Sequence, residues 1–138
     1  MNNREKKYFE TAREVSFLSD YSGARIGAVV VYRKAIISTG YNSNKTNPKQ
    51  FYYNLYRDFT NYTGCRHSQH AEIAALNHLI GKEIDWSKVS IFTYRELKDG
   101  TPACSKPCPA CDKLIKNLGI KNIYYIDREG NFVKERVL

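Results

Sequence analysis

Four residues have types and spacing that can do chemistry together: His70 and Glu72, two apart, and further along the chain Cys108 and Cys111, three apart. Two thiolates and a neutral imidazole are a donor set for Zn²⁺, and the two negative charges balance the ion. Three protein ligands leave the fourth tetrahedral position to water. The pKa of such a water falls towards about 7, so hydroxide is available at neutral pH. Glu72, beside the metal, can take the proton from that water and deliver it to a substrate nitrogen and a leaving amine. This is an apparatus for hydrolysing an amidine-like C–NH₂ group. Cys-x-x-Cys also builds structural zinc clips, and a fourth ligand from Cys104 or Cys65 would close the site and remove the water. Cys65, His67 and Cys104 together are candidates for a second metal site.

These residues need elements that hold them. Cys108 and Cys111 fall at the start of a helix expected over 107–118, where a spacing of three points both sulfurs the same way. A helix N-terminus favours thiolate over thiol. Cys111, Leu114, Ile115 and Leu118 share its apolar face, and Gly119 ends it. His70 opens a second helix, expected over 70–80, with Ile73, Leu76 and Ile80 on one face and Gly81 as its stop. A third is expected over 3–19, from Tyr8, Ala12 and Val15 with Phe9 and Ser16 beside them. The continuous apolar run 26–32 reads as a central strand covered on both faces. The stretch 35–41 follows so closely that the pair must form an antiparallel hairpin. Further strands are expected over 89–94, 123–127 and 132–137, the last two joined by a turn at 128–131. The order α-β-β-α-β-α-β-β argues for one sheet with helices on both faces.

A length of 138 residues, with 42% apolar and 26% charged residues, suits one domain over 1–138 and excludes disordered, collagen-like and disulfide-dense classes. The sequence has no apolar run of about 18 residues, which excludes a membrane helix. The charged N-terminal stretch and the clustered cysteines fit a reducing, cytoplasmic setting. The net charge of +8 is concentrated in residues 1–66, which carry 11 basic and 5 acidic side chains. Such a balance favours anionic partners, nucleotides or nucleic acid.

His-x-Glu followed by Pro-Cys-x-x-Cys resembles the signature of zinc nucleobase deaminases. The chain is similar over most of its length to the cytidine deaminase-like superfamily, in the branch whose first ligand is His. That branch includes deoxycytidylate, tRNA adenosine and polynucleotide cytidine deaminases. The resemblance implies a three-layer α/β/α sandwich with a mixed five-stranded sheet. It implies His70, Cys108 and Cys111 as Zn²⁺ ligands and Glu72 as proton shuttle. Asn42, at the end of the second strand, matches a residue that touches sugar or base in relatives. Ala71, Tyr125 and Lys106 join it as candidate substrate contacts: Tyr125 either packs on the base or belongs to the core, and Lys106, like Arg66, either meets a phosphate or is simply solvated. Relatives also imply a homo-oligomer.

The substrate signals are mixed. Ser105-Lys106 stands where the tRNA adenosine type has Leu-Glu, Ser-x-Pro-Cys looks like the polynucleotide enzymes, and residues 119–125 look like the deoxycytidylate type. Residues 51–62 hold six aromatics, with Lys45, Lys49, Arg57 and Arg66 around them. Single-stranded nucleic acid uses such a pattern for stacking and phosphate contact. Phe51, Leu55, Phe59 and Tyr62 also fit one buried helical face, leaving Tyr52, Tyr53 and Tyr56 freer to meet a ligand. The expected reaction is cytosine to uracil on a pyrimidine nucleotide, CMP or dCMP. Single-stranded DNA or RNA, then a purine base, then an inactive zinc-stabilised binding module are the alternatives.

Overall fold

The computed structural model describes residues 2–21, 23–45 and 69–137. Helix α1 spans Asn3–Ser16, strand β1 Arg25–Tyr32, β2 Ala35–Tyr41, helix α2 Ala71–Asn77, β3 Val89–Glu96, β4 Pro102–Ala103, helix α3 Pro109–Leu118, β5 Asn122–Ile126 and β6 Phe132–Arg136. The main path of the sheet runs β2-β1-β3-β5-β6. Only β3 and β5 are parallel in it, joined through α3; the other neighbours are antiparallel. This is the mixed five-stranded sheet expected, with the two-residue β4 added on the edge of β3.

The apolar run of β1 divides its side chains between two cores, as a strand covered on both faces must. Ala28 and Val30 pack with Ile73, Leu76, Ile91, Leu114 and Ile115 against α2 and α3. Val29 and Val31 pack with Tyr8, Phe9, Ala12, Phe92 and Tyr94 against α1. The layers are therefore α1, sheet, and α2 with α3.

Four helix boundaries move inward from the sequence expectation, the start of α2 by a single residue, to Ala71. Helix α1 starts at an Asn2 capping box with Glu5, but stops at Ser16 rather than residue 19, and Val15 is only half-buried. Helix α2 ends at Asn77, and tight turns carry the chain on to Gly81. Helix α3 starts at Pro109, not Pro107. A proline forces its predecessor out of the helical region, so Cys108 is extended (φ −69°, ψ 168°) and becomes the N-cap. Gly119 ends α3 with φ 92°, a left-handed conformation open to glycine. Among the described residues no helix is long and apolar enough to cross a membrane.

One end of the sheet gathers the candidate ligands and Glu72 among the described residues. Because β1 is antiparallel to β2 and β3, its first residues lie beside the last residues of both: Gly27 faces Tyr41, and Ile26 faces Arg95. The N-termini of α2 and α3 open at that end. Helix α2 lies close on β2, where Ser38 Oγ donates to the Ala75 carbonyl at 2.6 Å.

Candidate active site

His70 is the N-cap of α2, and Cys108 is the N-cap of α3 with Cys111 one turn on. The fold brings these two helix starts together. Both the Cys108 and the Cys111 Sγ atoms lie 3.4 Å from His70 Nδ1, and the three candidate ligand atoms all lie within 4.8 Å of one another. Zinc bonds of about 2.3 Å to sulfur and about 2.0 Å to nitrogen, at a tetrahedral angle, require a sulfur–nitrogen edge of about 3.5 Å. The donor set and its spacing fit Zn²⁺. Among the described residues no fourth His, Cys or carboxylate joins the group. Cys104 lines the adjoining cavity without joining it. Cys65, His67, Arg66 and the aromatic stretch 51–62 lie outside the described residues, and with them the expected second metal site and stacking surface.

The electrostatics of the sulfur pair are unequal. Hydrogen bonding from Cys111, and then from His70, brings the Cys108 thiol down to about 4. The same sulfur–sulfur hydrogen bond, with burial, holds the Cys111 thiol well up. Glu72, in the first turn of α2, is 5% exposed. Burial raises its carboxyl pKa, offset in part by the electrostatic interaction with His70. A carboxyl buried in the first turn of α2, beside the three candidate ligands, is placed to accept a proton and return it.

A cavity of about 230 Å³ opens onto this group, with His70, Glu72 and Cys108 in its wall. Asn42 and Lys106 also line it, Asn42 from the end of β2. The Asn42 side chain has a structural duty as well: Oδ1 accepts from the Ile26 amide at 2.9 Å, and Nδ2 donates to the Ala24 carbonyl at 2.8 Å, closing the open end of the hairpin. Lys106 pairs with Glu135 at 3.7 Å and lies over the Tyr125 ring. Ala71 is fully buried beneath the site at the first position of α2. Tyr125 is not brought into this cavity wall. Its ring packs with the core under α2 and α3, and its hydroxyl donates to Glu135 at 2.6 Å.

Residues outside the set of candidate contacts complete the wall: Tyr21, Ile26 and Gln69, together with Ser105 and Arg95. Ser105 pins the loop between β4 and α3. Its Oγ donates to the Thr93 carbonyl at 2.9 Å and accepts from the Ile126 amide at 2.8 Å, while Thr93 Oγ1 donates to the Ser105 carbonyl at 2.7 Å. The loop that carries Cys104, Lys106 and Cys108 is thereby tied to β3 and β5. Arg95, near the end of β3, also faces the cavity. The strand's alternation is the signal that could have found it. Phe92 and Tyr94 point towards α1, so Ile91, Thr93 and Arg95 occupy the opposite face.

The family profile described as the cytidine and deoxycytidylate deaminase zinc-binding region matches residues 2–127. No curated protein matches the chain in sequence. Among solved structures, the dCMP deaminase of the cyanophage S-TIM5 in its apo form superposes with a TM-score of 0.63 at 22% identity, covering 93% of this chain and 86% of that one. The same enzyme in complex with dCMP and dUMP gives a TM-score of 0.60 at 23% identity, covering 93% and 85%. A cytidine deaminase from Burkholderia pseudomallei gives 0.66 at 16% identity, covering 99% and 94%. At these identities the likeness speaks for the fold.

Proposed function

The chain belongs to the cytidine and deoxycytidylate deaminase zinc-binding family, and from that premise we propose that it is a zinc-dependent hydrolytic deaminase converting cytosine to uracil on a cytidylate or deoxycytidylate nucleotide. The observation that carries the reading is a single one. His70, Cys108 and Cys111 converge within 4.8 Å, and the buried Glu72 carboxyl shares their cavity.

Bound zinc supplies an electrophilic centre that makes water acidic enough to attack near neutral pH. His70, Cys108 and Cys111 would hold it at the starts of α2 and α3, beside Glu72. The Glu72 carboxylate takes a proton from the attacking water and passes it to ring N3 of cytosine. It then delivers the second water proton to the amino nitrogen, so that the C4–N bond breaks, ammonia leaves and C4 keeps the oxygen. Asn42, held by its two backbone hydrogen bonds, offers a preorganised amide at the cavity wall for the sugar or base. The choice of a nucleotide is supported by the cations Lys106 and Arg95 in the wall, and by a structural neighbour that is a dCMP deaminase seen with dCMP and dUMP.

The test is ammonia release by the zinc-loaded protein across CMP, dCMP, cytidine, guanine and cytosine-containing oligonucleotides. The expected outcome is the highest kcat/KM on CMP or dCMP. Ammonia from guanine or oligonucleotides alone would replace the substrate, and none from any cytosine compound would refute the reading.

A further inference from the structure

Arg95 is the cavity's unexplained charge. It is the seventh residue of the eight-residue β3, paired across the ladders with Ile26 and Ala103, on the sheet face that carries α2 and α3. Its Nε atom is buried and has no hydrogen-bond partner among the described residues. Leaving a buried donor unmet is unfavourable, and more so on a charged group.

The neighbouring charges are accounted for differently. Glu96, the next residue, points to the other face and pairs with Arg13 at 3.5 Å and Arg25 at 3.6 Å. The Nε of Arg25 is also unpartnered, but that guanidinium already serves Glu96 and lies over the Phe17 ring. Lys106, the other cavity cation of the described residues, is paired with Glu135. No carboxylate among the described residues pairs with Arg95. A guanidinium presents a planar fork of donors that matches a phosphate or carboxylate, and it stays charged at every physiological pH.

We infer that Arg95 is a specificity-determining residue of this chain, whose guanidinium takes a phosphate ester on the sugar of the cytosine substrate while the base sits at the metal group. The inference rests on the deaminase reading for the identity of the substrate. The phosphate is the monoester of a mononucleotide or the diester of a polynucleotide, and the two share the same recognition chemistry. A contact remote from the reacting carbon that is equal in ground and transition states appears in KM rather than kcat.

The experiment compares wild type, Arg95→Gln and Arg95→Lys on dCMP, deoxycytidine and a short cytosine-containing oligonucleotide. Zinc content and melting temperature are measured in parallel. Arg95→Gln is expected to raise KM roughly 10- to 100-fold for the phosphorylated substrate, with kcat and the deoxycytidine constants little changed. Whichever phosphorylated arm is lost identifies the phosphate source. Arg95→Lys keeps the charge without the fork and should recover part of the loss. An equal loss on deoxycytidine would overturn the inference, because the residue would then be acting on the base or on the scaffold. If Arg95→Gln does not fold, Arg95→Lys decides: a loss confined to phosphorylated substrates supports the inference, and an equal loss on all three overturns it. A second readout does not depend on turnover: calorimetric binding of dUMP against deoxyuridine. Wild type should favour dUMP and Arg95→Gln should not, even if no substrate is deaminated. Equal affinity of wild type for the two would overturn the inference and leave the deaminase reading standing.

Discussion

Helix α2 rests on a glycine, and that contact sets where His70 and Glu72 stand. A Cβ built on Gly40 of β2 would lie 2.5 Å from the Ala71 carbonyl oxygen and 2.9 Å from Ala74 Cβ, and would also collide with the Ala75 amide nitrogen. Carbon contacts settle at about 3.5–4.0 Å, so Gly40→Ala must push α2 from the sheet by roughly 1 Å. The helix carries Glu72 in its first turn and His70 at its N-cap, while Cys108 and Cys111 stay with α3. The displacement therefore opens the 3.4 Å separations between the imidazole and the sulfurs. Gly27→Ala is the matched control: its Cβ would meet Ala12 and Ser16 backbone on α1, across the sheet from the site. Overpacking of this kind costs about 1–3 kcal/mol in stability, and both variants should show that loss by urea denaturation. A misplacement of about 1 Å in a catalytic group can cost about 10²-fold in rate. Measured where both variants are fully folded, kcat/KM for ammonia release should fall by about that factor, with weaker zinc retention, in Gly40→Ala alone. Equal falls in the two variants, or wild-type turnover in Gly40→Ala, would refute the claim that this packing contact sets the site geometry.

Other perturbations separate chemistry from scaffold. Glu72→Gln should keep stoichiometric zinc and the fold while turnover drops by about 10²–10⁴-fold; Cys108→Ala should lose zinc and melting temperature together, because metal binding and folding are coupled. Metal analysis beside a melting curve checks both, and stoichiometric zinc in Cys108→Ala would remove that residue from the ligand set. In the tight β1–β2 turn, Arg33 and Lys34 sit at φ 52° and 67°. Lys34→Gly should relieve left-handed strain and raise the urea midpoint, by about 1 kcal/mol of stability, and a lower midpoint would contradict the turn geometry. Glu135, accepting the Tyr125 hydroxyl, pushes that phenol up to about 12 from an ordinary 10.0. A raised folded-state pKa contributes stability that is complete below about pH 10 and lost as pH rises towards about 12. Denaturation at successive alkaline pH values should show a shallower decline for Tyr125→Phe than for wild type, and identical slopes would remove the linkage.

The convergence of His70, Cys108 and Cys111, with Glu72 beside them, is legible in the sequence because each motif is local and each lies at the start of a helix with a readable apolar face. The two-core division of β1 is legible for the same kind of reason, since a run without polar alternation has no solvent side. The start of α3 lies at Pro109 rather than Pro107, and the letters do carry the reason: a proline at 109 requires an extended Cys108 before it. Arg95 is not legible, because an arginine near a strand end looks like any solvated cation until the parity of the strand against both helix layers is known. The Lys106–Glu135 pair joins the loop before α3 to β6, and no local pattern foretells it. In the sequence Ser105 is only a family-like letter before Cys108, whereas its hydrogen bonds show why a serine is useful there. A short hydroxyl can bond the backbone of β3 and β5 at once.

The site also explains a weakness in its own scaffold. A helix ordinarily places Ser, Thr, Asp or Asn at the N-cap, and losing that cap costs about 0.5–2 kcal/mol. Helix α1 has such a cap in Asn2, but α2 begins with His70 and α3 with Cys108, and neither side chain caps its helix. Cys108 and Cys111 stand at the N-cap and third position, where a capping box would exchange hydrogen bonds with the backbone. Here the pair turns to His70 instead. The candidate ligands thus occupy the positions a helix uses to stabilise its own start. Other contacts must then hold those starts: Gly40 and Ser38 beneath α2, and the Ser105–Thr93 ties behind the loop leading to α3. It follows that damage to these supports should reach zinc retention before it reaches the α1 side of the sheet, whose own cap and aromatic core are independent of the site.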